Sequence, residues 1–158
     1  MDARGASMRV SIAVSRYNET VTAGLLRGAL DALAECGVAD DDVTIAHVPG
    51  ALELPLAADA LARDGADAVV VLGAVIRGET DHYRLVCDEA TRGCGGVALA
   101  RGVPVGFGVL TCATLAQARE RSAPTPKNKG REAALGAVET ARLLAALRAG
   151  AARGGSGS

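Results

Sequence analysis

Aromatic side chains are nearly absent from this chain of 158 residues, which holds no Trp, one Phe and two Tyr. A core must therefore be assembled from Ala, Val and Leu, and Tyr17, Tyr83 and Phe107 each stand out against that background. No excess of either charge exists: 17 basic against 18 acidic residues give a net charge of −1, without blocks or stripes. This argues against nucleic acid or an anionic membrane as a partner. Apolar runs stay far below the ~18 residues of a membrane span, and the first residues lack a signal peptide's apolar centre. These features predict a cytoplasmic location. The four cysteines, Cys36, Cys87, Cys94 and Cys112, show no C-x-x-C pair, so they read as small apolar residues and no metal is assigned. Neither a G-x-x-x-x-G-K-[ST] loop nor a G-x-G-x-x-G turn occurs, which disfavours a nucleoside triphosphate or NAD.

What is present alternates strand and helix. Met8 to Val14, Val43 to Val48, Ala68 to Leu72 and Val103 to Leu110 read as strands. Helices are expected over Thr20 to Cys36 (closed by Gly37), Ala51 to Arg63, about Asp81 to Arg101, Thr114 to Ser122, and Asn128 to about Leu147. Pro55 suits a first helical turn, and Thr114 with Gln117 has the spacing of a capping box. Gly93, Gly95 and Gly96 interrupt the third helix and imply either a kink or close approach of a neighbour. Strands joined by helices require right-handed crossovers, hence a parallel sheet covered on both faces. One domain over residues 8–150 is expected, with residues 1–7 as an arm and 154–158 as an appended flexible linker.

The segment Gly73-Ala74-Val75-Ile76-Arg77-Gly78-Glu79-Thr80-Asp81-His82 follows the most apolar strand. Ligands of parallel sheets bind beyond the carboxyl ends of strands. A helix N-terminus favours an anion there, and imidazole moves protons near neutral pH. The composition of this segment therefore predicts phosphate binding beside acid–base chemistry. Other strand ends lead into Ser15-Arg16-Tyr17-Asn18, Pro49-Gly50-Ala51-Leu52-Glu53, and the stretch from Phe107 to Thr111.

Arg16-Tyr17-Asn18, Val48 to Pro55, Leu72 to His82, Pro104 to Thr111, and Asn128-Lys129-Gly130 followed by Glu132 to Leu135 stand in an order that resembles the 6,7-dimethyl-8-ribityllumazine synthase family. The resemblance spans roughly Met8 to Leu147. It implies a flavodoxin-like three-layer α/β sandwich around a four-stranded parallel sheet. It also implies a condensation of 5-amino-6-(D-ribitylamino)uracil with 3,4-dihydroxy-2-butanone 4-phosphate that releases phosphate and uses no metal or organic cofactor.

Carried over by position, Tyr17 implies a ring that stacks on the pyrimidine, with Asn18 beside it. Ala51, Leu52 and Glu53 would hold the ribityl chain and ring edge, and Ala74, Val75 and Ile76 would offer backbone groups. Glu79 and Thr80 would turn amides to phosphate, which Arg121 would also bind. His82 would transfer protons, and Glu132 would steady Arg121. Phe107 and Lys129 would complete the site of a neighbouring subunit in a homopentamer, with a sixty-subunit shell open beside it. Ordinary alternatives exist for each: a loop-anchoring Tyr17, first-turn electrostatics for Glu53, a solvated Arg121 with Arg119 as its control, a helix-capping His82. His47 reads as structural or interfacial. Tyr17 stands where the family has Phe or Trp, Leu52 where Phe is common, Cys112-Ala113 where a more polar pair is usual, and Ala116 where Glu is frequent. Pro124 and Pro126 replace glycines between the last helices. A flavin binder without turnover and a purely structural shell protein are the rival classes.

Overall fold

Val10–Ser15 (β1) is a central strand, and every one of its six residues is buried. In this computed structural model, which describes residues 7–156 and side chains as far as 151, β1 lies between Val43–Val48 (β2) and Ala68–Ile76 (β3). Val105–Cys112 (β4) closes the far edge, giving the all-parallel order β2-β1-β3-β4. Burial does not alternate along β1, or along β3 as far as Ala74, because both faces are covered. On one face Val10, Ile12, Val14, Val70 and Leu72 meet helices Glu19–Glu35 (α1) and Lys129–Ser156 (α5). On the other, Ala13, Val69 and Val71 meet Leu54–Arg63 (α2) and His82–Arg101 (α3). The short helix Leu115–Ser122 (α4) follows β4 and packs Ala118 into the first of these layers.

Local chemistry sets the helix limits. The Gly37 amide bonds to the Ala34 carbonyl and the Val38 amide to Leu33, with Gly37 at φ 83°, so α1 ends in a Schellman motif. The Thr114–Gln117 capping box is formed at the start of α4. Pro55 sits in the first turn of α2, which is preceded by a 3₁₀ turn over Ala51–Glu53 instead of beginning as α-helix at Ala51.

The remaining differences from expectation concern ends. β3 runs four residues past Leu72, because Gly73, Ala74, Val75 and Ile76 pair with Val109 to Cys112 of β4. Gly73 is thus a strand residue, not a loop hinge. β1 and β4 each begin two residues later than expected. α3 passes through its three glycines unbroken. A side chain at Gly93 would stand 2.7 Å from Pro55, so this glycine permits the approach of α2, whereas Gly95 and Gly96 face open space. α5 continues to Ser156, beyond the end expected near Leu147 and into the stretch read as a linker. Arm residues 1–6 and linker residues 157–158 lie outside the described residues. No helix among the described residues is long and apolar enough to cross a membrane.

Candidate active site

Two groups of residues emerge. The first lies beyond the carboxyl ends of β1, β2 and β3. The Arg16 amide donates to the Val48 and Pro49 carbonyls, at 2.9 and 3.2 Å, and the Tyr17 amide donates to Pro49 at 3.3 Å. These bonds fasten the turn after β1 to the turn after β2. The Tyr17 ring lies against Gly50, where a Cβ would come within 2.8 Å of it, yet the residue is 68% exposed. One side of the ring, Cδ2 and Cε2, is therefore seated against Gly50, and the rest is exposed. Ala51 is buried, while Leu52 is exposed beside it.

Asn18 starts α1 at φ 60°, the one positive φ outside glycine among the described residues. Asn tolerates this left-handed geometry better than most residues. Its side chain does not cap α1; Nδ2 donates instead to the Ala74 carbonyl at 3.2 Å. Pairing of β1 with β3 stops at Leu72, so Gly73 to Ile76 carry no strand on that side. The result is a short run of backbone without a strand partner on that side, buried at Gly73 and Ala74, half-buried at Val75 and Ile76, and held at one point by Asn18. Glu53 uses Oε1 to accept from the Gly50 amide at 2.9 Å, so its first-turn role is real.

Past β3, Thr80 Oγ1 accepts from the His82 amide at 3.3 Å. Thr80, one residue before the N-cap Asp81, thus takes the first amide of α3; Asp81 makes no side-chain cap bond, and the His82 imidazole is left exposed. The Glu79 and Thr80 amides donate to no backbone carbonyl of the described residues. Arg77 anchors this loop: its amide donates to Cys112 at 2.9 Å, and its guanidinium sits 5.5 Å from the Tyr83 ring centroid. Sequence reading passed over Arg77 because nothing in its spacing from Tyr83 announces a stack.

The second group lines a cleft of about 700 Å³ along the free edge of β4, walled by α5 and touched by Ala98 of α3. Phe107, Arg121, Lys129 and Glu132 all face it, and Tyr17, Asn18, Glu53 and His82 do not. Phe107 is the third residue of β4, opposite Val71, so it lies well before the strand end where it was expected. Glu132 does not hold Arg121. Its Oε2 pairs with Lys129 Nζ at 3.0 Å, three residues back along α5. Arg121 Nη1 donates to the Gln117 carbonyl at 3.1 Å and lies 4.0 Å from Glu120. Arg119 is exposed and does not line the cleft.

Burial pushes the Cys94 thiol up to about 11 and raises that of Cys87, so neither is a ready thiolate. No three His, Cys, Asp or Glu side chains among the described residues converge as a metal-ligand set. His47 is exposed on the edge strand β2. The chemical means of the two groups are a flat exposed ring, backbone without a strand partner on one side, an exposed imidazole, and a cleft carrying cations.

Comparison with known proteins gives this geometry a relative. Residues 7–145 match the family model for 6,7-dimethyl-8-ribityllumazine synthase. The 6,7-dimethyl-8-ribityllumazine synthase of Desulfatibacillum aliphaticivorans is 48% identical over 136 residues, covering 85% of this chain and 88% of that protein. Sequence order, sheet topology and both comparisons agree: the chain belongs to the 6,7-dimethyl-8-ribityllumazine synthase family.

Proposed function

We propose that the chain condenses 5-amino-6-(D-ribitylamino)uracil with 3,4-dihydroxy-2-butanone 4-phosphate to 6,7-dimethyl-8-ribityllumazine, releasing phosphate, in the cytoplasm. The observation that carries this reading is the exposed Tyr17 ring at Gly50, next to Asn18, which bonds the strand-free side of Gly73 to Ile76. A planar pyrimidine stacked on Tyr17 would meet the backbone groups of Ala74, Val75 and Ile76 with its edge. The Glu53 oxygen not bonded to Gly50 is suited to accept from ribityl hydroxyls. Glu79 and Thr80 amides, with Arg121 and Lys129, would hold the phosphate.

In this scheme His82 moves protons as the amine adds to the ketone, the carbinolamine loses water, and phosphate departs. Holding both reactants in one geometry supplies the rest of the acceleration. The two residue groups divide the work: the strand ends take the ring and turn the Glu79 and Thr80 amides to the phosphate, and the cations in the cleft of a neighbouring copy take its charge. That division supports a homopentamer with sites between subunits. Leu56, Leu85 and Leu99, at 77%, 61% and 89% exposure on α2 and α3, supply apolar surface for such contacts. A sixty-subunit shell would be a further level of this assembly.

The test is the rate of lumazine formation from the two substrates, with the spontaneous reaction subtracted. Acceleration is expected, and His82→Ala should lower kcat by about 100-fold or less, with both KM values little changed. Absence of acceleration in a verified assembly would leave a binder or a shell protein.

A further inference from the structure

Asn128 is the most completely bonded polar side chain among the described residues, although it lies at a turn between helices. It is 1% exposed and stands between α4 and α5. Its Nδ2 group shares two protons among three carbonyls: Ser122 at 3.0 Å, Ala123 at 3.0 Å, and Gly24 of α1 at 3.1 Å. Its Oδ1 accepts from the Arg131 amide at 3.0 Å in the first turn of α5. One side chain therefore ties the end of α4 to the start of α5 and both to α1.

The surroundings admit nothing larger. A Cβ at Gly28 of α1 would fall 2.1 Å from Asn128 Oδ1, and one at Gly130 would fall 2.0 Å from the Leu25 carbonyl. The two helix ends so joined carry Arg121, one residue before Ser122, Lys129, one residue after Asn128, and Glu132, one residue after Arg131. All three face the cleft. Their own contacts are short-range and exposed, and give no reference from one helix to the other.

We infer that Asn128 is a positioning residue for the anion half of the site: it fixes Arg121 of α4 relative to Lys129 and Glu132 of α5 without touching substrate. The inference rests on the phosphate role proposed above for Arg121. It goes beyond helix capping, because a cap alone needs only the Arg131 bond.

Asn128→Asp keeps the acceptor for Arg131 but sets carboxylate oxygen against three carbonyls. Gly28→Ala keeps every bonding group chemically intact but must displace the asparagine from the α1 side. Steady-state kinetics on the purified assembly should show the KM for the phosphorylated butanone rising roughly tenfold or more in both variants, with the uracil KM within about twofold, since displacement of about 1 Å is costly to positioned groups. Gly93→Ala is the control for lost stability. It crowds Pro55 in another helix pair, and should lower Tm with neither KM changed. If Asn128→Asp does not fold, Gly28→Ala carries the test. Lower Tm with both KM values unchanged in the folded variants would overturn the inference. Arg121→Ala, measured alongside, separates the failures: if it spares the phosphate-substrate KM, the reading of the site is wrong and the inference falls with it.

Discussion

The strand-end group and the cleft group are built by opposite means. At the strand ends, position is set by main chain: Arg16 and Tyr17 amides on Val48 and Pro49, and Asn18 on the carbonyl of Ala74. Backbone bonds just past the strand ends fix the first contacts, and the last depends on one short side chain. In the cleft, position depends on long side chains paired along their own helices, with Lys129 44% and Glu132 66% exposed. Exposed pairs of this kind contribute about 0–1 kcal/mol, so they can be exchanged for a bound anion. A rigid planar substrate suits the first construction. A tetrahedral anion that must enter and leave suits the second.

The largest break in this comparison is expected from Arg121→Ala. Hydrogen bonds to charged groups contribute about 1.5–3 kcal/mol, so the KM for the phosphorylated substrate should rise at least roughly tenfold. The uracil KM should hold. Arg121→Lys should recover only part of the loss, because a point charge lacks the guanidinium fork. Kinetics with each substrate varied in turn check this, and equal losses for both would remove the assigned role.

A smaller effect of opposite selectivity is expected from Asn18→Gly. Glycine keeps the left-handed backbone at φ 60° while removing the bond to Ala74. With about 1 kcal/mol lost from one hydrogen bond, the uracil KM should rise about fivefold and the phosphate-substrate KM should stay. The pair of variants then makes a crossed test. If both shift the same constant, the two groups do not divide the substrates as proposed.

Sequence was a good guide to what is local and a poor one to what depends on contact across the fold. Val43–Val48 was read with its true bounds, and the Gly37 stop and the Thr114–Gln117 box were visible because capping chemistry lies within a few residues. The end of β3 was not visible. Its length is decided by β4, which pairs with Gly73 to Ile76 although their composition resembles a loop. In the site, chain order alone placed Tyr17, Glu53 and His82 near strand ends. It could not show that Glu132 turns to Lys129 or that Phe107 lies early in β4. In sequence, Asn128 reads only as the first residue of the last helix, before Lys129-Gly130. Its bond to Gly24, 104 residues away, exists only once α1 and α5 are packed.

The smallest expected effect comes from a place outside both groups, and it guards the other two. Asp59 of α2 accepts from Arg101 Nε at 2.7 Å, at the end of α3. The Arg101 hydrogen bond holds the Asp59 carboxyl below its ordinary range. A carboxylate lowered in the folded state stabilises above its unfolded value, about 3.9 for Asp. That contribution is lost as pH falls through the lower, folded value. Arg101→Gln should therefore lower Tm slightly at neutral pH, and the difference from the parent should close as pH drops below about 3.9. Both KM values should be unchanged. A shift in either would mean that loosening α2 against α3 reaches the substrates. The selectivity of Arg121→Ala and Asn18→Gly would then no longer distinguish two separately built halves.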